Sequence, residues 1–161
     1  MAIIRQQIMD VVESRMQNIT YANGYNREVG SGRVYNANRL PQNLPTPSVA
    51  ILQGPESVNN NVGDRYECIL GITVGFVDAY AGRDPDVEAN EFLADIQKAF
   101  LSADISYTTT IHGTSNTTTS IAAILEVANS LNAGDPMDGK VFGEVSFEIQ
   151  YWRSLYDPQK L

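Results

Sequence analysis

The sequence predicts an α+β fold: a mostly antiparallel sheet of about four to five strands with two helices packed on one face. Three observations lead there. Residues 65–80 and 141–154 alternate apolar and polar residues with the period of two that marks a strand. Residues 3–19 and 82–104 carry apolar residues at helical spacing. Strands joined by short turns, rather than by crossover helices, imply antiparallel pairing with one face covered by the helices.

The elements follow in order. In residues 3–19, Ile4, Ile8, Val11, Val12 and Ile19 fall near one helical face, with Arg5, Gln6, Asp10, Glu13 and Gln17 mostly on the other. Residues 20–48, TYANGYNREVGSGRVYNANRLPQNLPTPS, are punctuated by Gly, Asn and Pro and read mostly as loop, with room for a strand around Glu28 to Tyr35. SVAILQG at 48–54 reads as a short buried strand and GPESVNNNVGD at 54–64 as a long turn. In the strand at 65–80, Tyr66, Cys68, Leu70, Ile72, Val74 and Phe76 share the core face. Gly71 and Gly75 lie on the opposite face, where glycine marks a bulge or the close approach of another backbone.

The second helix has the clearest start. Asp84 suits an N-cap, Pro85 the first helical position, and Asp86 and Glu88 the positive end of the helix dipole. Ala89, Phe92, Leu93, Ile96, Ala99, Phe100 and Ala103 supply its apolar face. Ten of the fifteen residues from 106 to 120 are Ser or Thr, which fits either a β-hairpin arm or a loop that orders on contact. Residues 121–131 and 141–154 form a closing hairpin across the turn NAGDPMDGK. Val145, Phe147, Ile149 and Tyr151 face the core, and Glu144, Ser146, Glu148 and Gln150 face away, so the outer face of the sheet is expected to be polar.

The whole chain, 1–161, reads as one domain, with loop or arm insertions at 20–47, 54–64 and 106–120. A formal charge of −8 argues against a duplex-binding basic patch. The single cysteine, Cys68, excludes a disulfide framework within the chain. The longest apolar run, CILGITVGFV, is too short to span a bilayer, so no membrane partner is expected and a soluble protein in a cytoplasm-like setting is.

Chemistry is sparse. The only histidine, His112, sits among Ser and Thr residues, a composition that makes any nucleophile–base match uninformative. Asp84, Asp86 and Glu88 resemble a carboxylate metal site only loosely, lacking the glycine and distal glutamate of a calcium loop. Capping explains all three, and a small metal-dependent enzyme built on them is the non-structural alternative. GSG at 30–32 lacks the lysine of a phosphate loop. No catalytic residue, no cofactor and no metal is expected. A small ligand-binding domain would need an enclosed pocket.

What remains points to assembly. The segment with Arg27, Arg33 and Arg39 is basic. The second helix, with Asp84, Asp86, Glu88, Glu91, Asp95 and Asp104 against Arg83 and Lys98, is acidic. Opposite signs on separate parts of one chain suit a head-to-tail contact that closes into a ring. Trp152 falls on the polar face and Arg153 beside it, so both are candidate contacts with a neighbour.

This order of elements resembles the tail terminator (tail completion) proteins of tailed bacteriophages. The resemblance rests on the opening helix AIIRQQIMDVVESRM, the following YANGYN…VGSGRVYNANRL, and PSVAILQGPE. It continues through the strand RYECILGITVGFVDAY, the helix DPDVEANEFLADIQKAF and the closing GEVSFEIQYWRSLYDP. It implies a structural virion protein, not an enzyme. Such proteins form a homohexameric ring on the head-proximal end of the tail tube, assembled in the host bacterial cytoplasm. They stop tube polymerisation and meet a neck or connector protein, and genomic DNA passes through the lumen without sequence-specific binding. Another head–tail joining protein of the neck is the alternative within that class.

Overall fold

A computed structural model describes residues 3–63, 65–111, 115–121, 123–132 and 138–154. Its elements are α1 (Ile4–Gln17), β1 (Val34–Asn36), β2 (Ser48–Val62), β3 (Arg65–Ala79), α2 (Pro85–Phe100), β4 (Ser106–Ile111), β5 (Ser115–Ser120), β6 (Ala123–Asn132) and β7 (Lys140–Ser154). The order across the main sheet is β1-β2-β3-β7-β6, and β4 and β5 form a separate two-stranded sheet. Every pairing is antiparallel except β1 with β2. The fold is α+β, as expected.

Both helices lie on one face because their apolar stripes match that of the sheet. Ile4, Ile8, Val12 and Met16 of α1 are buried, at i, i+4 steps. Phe92, Ile96, Ala99 and Phe100 of α2 meet Cys68, Leu70, Ile72 and Val74 of β3 and Val145, Phe147, Ile149 and Tyr151 of β7 in one core. Phe100 stacks on Phe147 with ring centroids 3.7 Å apart, and Phe76 tilts against Phe92 at 4.6 Å. Burying each such side chain contributes about 1.5–3 kcal/mol, so this seam fixes the angle of α2 on the sheet. The start of α2 is as expected: the Asp84 carboxylate accepts the Asp86 backbone N–H at 2.9 Å, and Pro85 opens the helix.

Three expectations are corrected. Residues 54–64 are not a long turn. They continue β2 to Val62, so that β2 and β3 make one hairpin closed at Gly63. The partner strand decides this: β3 is long enough to pair along all of β2, and two register shifts, between Gln53 and Glu56 and between Val58 and Asn60, absorb the residues that spoil a regular ladder. Pro55 falls in the first shift, where no ladder donor is needed. Gly54 is required there. A Cβ on it would lie 2.9 Å from the Gly71 carbonyl oxygen, the close backbone approach that the outer-face glycines suggested.

The strand expected around Glu28 to Tyr35 shrinks to Val34–Asn36, since Val29 and Gly30 donate their N–H groups to the Ile19 carbonyl and tie the chain to the end of α1. The outer face of the sheet is not polar throughout. At one end Leu40 and Leu44 fold beside Ala50, Val77 and Phe142 and line an open apolar groove of about 290 Å³. The chain after β1 crosses back over the sheet and brings those leucines with it, which local patterning does not encode.

Within 106–120, β4 and β5 pair antiparallel from Ser106 with Ser120 to Ile111 with Ser115, so the strand reading of this stretch holds for its described residues. Ile105 and Ile121 at its base are buried, and the Ile121 N–H donates to the Ile105 carbonyl at 2.8 Å. The closing hairpin of β6 and β7 stands where expected.

Candidate functional site

The two charged segments that the sequence set apart meet inside one chain. Arg27 follows α1 by ten residues, and only 5% of it is exposed. Its Nε donates to Asp78 Oδ2 at 2.6 Å, its Nη1 to the Asn26 carbonyl at 3.0 Å and to Glu91 Oε2 at 3.2 Å. Its Nη2 donates to the Glu88 backbone carbonyl at 3.2 Å and to the Glu88 carboxylate. The whole guanidinium fork is thus engaged, a geometry lysine does not offer. Burial works against the charge of Arg27, and the carboxylates of Glu88 and Asp78 outweigh it, leaving its pKa raised. Its carbon lies 5.9 Å from the centre of the Phe92 ring.

Glu88, 4% exposed, turns its second oxygen toward Arg83, whose Nη1 lies 2.6 Å away in ionic contact without hydrogen-bond alignment. Beside it, Asp95 accepts the Asn26 N–H at 2.9 Å and the Asn26 side-chain amide at 3.0 Å. Lys98 donates to the Gly24 carbonyl at 2.8 Å and sits 4.5 Å over the Tyr25 ring. Residues 24–27 are therefore strapped along α2. The missed partner, Asp78, had a signal. It extends the even-numbered core stripe of β3, and a carboxylate on a core face requires a cation.

A second cluster lies at the other end of β3. Glu56, from the stretch expected to be a turn, receives Arg5 Nε at 3.2 Å, Arg153 Nε at 3.3 Å and the Tyr151 hydroxyl. Burial first, then Glu56, push the Tyr151 hydroxyl well above its ordinary value. The Arg153 guanidinium also lies 5.1 Å from the Tyr66 ring centre. Glu56 was not foreseen because it lies beyond the first bulge of β2, where the alternation is interrupted.

The candidate residues thus divide. Arg27 and Glu88 are buried and engaged within the chain, and Glu91 and Arg153 are half-buried and also form ion pairs there. Arg33 donates to the Thr46 carbonyl at 2.8 Å and is half-buried, while Arg39, Asp84 and Asp86 are exposed. Trp152 is half-buried on the outer face, opposite Glu67 in the β3–β7 register. Asp84, Asp86 and Glu88 do not converge: the first caps its helix and the last faces two arginines. Among the described residues no group of three His, Cys, Asp or Glu side chains is placed to hold a metal ion. His112 lies outside the described residues. Among the described residues no helix is long and apolar enough to cross a membrane.

The surface that remains is the sheet itself. β6 lies at the edge of the main sheet, and among the described residues no strand pairs with its outer side. Leu125, Val127 and Leu131 on it are 46%, 51% and 38% exposed, against a single charged residue, Glu126. Soluble proteins ordinarily guard such an edge with lysine, proline or brevity. β6 has a bulge between Glu126 and Ala128 and none of those three.

No protein-family model matches the sequence, and no curated protein does. Among solved structures, one match is a chain from the virion of a native gene transfer agent (GTA) particle. It has a TM-score of 0.45 and 14% identity, and the match covers 92% of this chain and 90% of that one.

Proposed function

We propose that this protein is a structural component of a phage-like virion, a ring-forming tail terminator. It would cap the head-proximal end of the tail tube, stop tube polymerisation and join the tail to a neck or connector protein. One observation carries the reading: the sheet keeps a ten-residue edge strand with exposed apolar side chains, no lysine or proline and a single charge, Glu126, a surface suited to a protein partner. Two further observations support it. Two helices and a mostly antiparallel five-stranded sheet make up the kind of fold that the resemblance implies. The buried charges are consumed in holding the fold rather than converging on a substrate site.

On this reading the interface draws on the exposed Arg39, Asp84 and Asp86 and on the half-exposed Arg33, Glu91, Trp152 and Arg153. The negative charge suits a lumen through which DNA passes without adhering. Trp152→Ala should weaken ring formation and leave the thermal midpoint of the chain close to that of the wild type. Gold-labelled antibody on particles from the source lysate tests the reading. Label at the head–tail junction, or at the upper end of free tails, is expected. Abundant soluble protein with unlabelled particles would overturn it.

A further inference from the structure

The hairpin of β4 and β5 and the outer side of β6 are each incomplete. Strands β4 and β5 pair only with one another among the described residues. A two-stranded hairpin is marginal in water by itself and gains stability from a third strand. Among the described residues the outer side of β6 has no partner strand along its ten residues. Only residues 121 and 122 separate β5 from β6, yet the two strands do not join into one sheet. One chain therefore holds a strand donor and a strand acceptor that do not satisfy each other.

Resting on the ring reading above, we propose that the β4–β5 hairpin of one copy adds to the β6 edge of the next. The contact would extend the five-stranded sheet across the subunit boundary. Adding an extended segment to an exposed sheet edge gives affinity through main-chain hydrogen bonds, which suits a segment rich in Ser and Thr. Charge favours the same placement. Two copies at a formal −8 each repel one another, but the span 106–120 contains no Asp, Glu, Lys or Arg, and β6 contains only Glu126. Glu126 is itself held by the Gln97 and Asn129 side-chain amides. Donor and acceptor are different surfaces, so the contact is heterologous, and repetition closes a ring where the rotation permits.

Two variants separate the halves of the contact. In the first, residues 107–119 are replaced by a short Gly-Ser linker. The buried Ile105 and Ile121 at the base of the hairpin are kept, so the core is not opened. In the second, Leu125→Lys and Val127→Lys place charge on the edge of β6. Circular dichroism and thermal unfolding verify that each is folded, and sedimentation velocity reads the assembly. The wild type is expected to form rings, and each variant alone to remain a single copy, with self-association weakened at least tenfold. An equimolar mixture should give a heterodimer and stop there, since the first variant still offers β6 and the second still offers the hairpin.

Rings formed by either folded variant, or a mixture that stays as single copies, would overturn the inference and leave the ring reading standing. A wild type that neither self-associates at high concentration nor collects on tube ends would overturn the ring reading, and the inference with it.

Discussion

Replacing Arg27 by methionine removes the buried cation that Asp78, Glu88 and Glu91 share, while keeping similar bulk against Phe92. Breaking a buried ion pair from one side costs about 3–5 kcal/mol, because the abandoned charge stays buried. Two compensations place this site at the lower end. Glu88 keeps its contact with Arg83, and Asp78 still accepts the Ala79 N–H at 2.8 Å. A loss of about 3 kcal/mol is expected, a large share of the roughly 5–15 kcal/mol that holds a domain together. In a chain of this size it lowers the thermal midpoint by about 6–12 °C.

Urea unfolding followed by circular dichroism, at one fixed protein concentration, measures it. Concentration is fixed because self-association adds to apparent stability. A companion variant, Arg27→Met with Asp78→Asn and Glu88→Gln, should recover about 1 kcal/mol or more, since neutral amides are cheaper to bury than carboxylates without a cation. A single substitution costing under about 1 kcal/mol, or a triple variant weaker than the single, would refute the assignment of Arg27 as the neutralising core of this cluster.

Other outcomes follow from the same geometry. Burial holds the Asp95 carboxyl above its ordinary value, partly offset by the Asn26 donors and Arg27. A raised carboxyl binds more protons folded than unfolded, so its ionisation weighs against stability as pH rises through the window above the unfolded value. Wild type should therefore gain on Asp95→Asn as the medium moves from about pH 7 toward about pH 4, read as the difference between their urea midpoints. Tyr151→Phe removes a buried hydroxyl donor from Glu56 and should cost about 1–2 kcal/mol in the same assay, with Arg5 and Arg153 left to hold the carboxylate. Phe147→Ala takes away the ring stacked on Phe100 at the centre of the core, with a loss of about 3–5 kcal/mol expected. Gly143→Ala drives a methyl into the Phe76 ring and Leu131, and a thermal midpoint unchanged from wild type would contradict that packing.

Much of the fold was written locally. The even-numbered residues of β3 and the odd-numbered residues of β7 declare their buried faces by period alone. Asp84, Pro85 and the acids behind them mark the start of α2 within one residue, because a cap is a contact between near neighbours. Residues 54–62 were not legible in the same way. Gly54, Pro55 and three consecutive asparagines have turn chemistry, and only the pairing offered by β3 draws them into a strand. Nor could the sequence say that Arg27 would be buried against Asp78, fifty-one positions away, rather than shown to a neighbour. The sequence by itself determined the periods, caps and breaks, which depend on residues a few positions apart. Tertiary structure alone decided which charges were neutralised within the chain and which strand edge lies outermost among the described residues, because both depend on segments tens of residues apart in sequence.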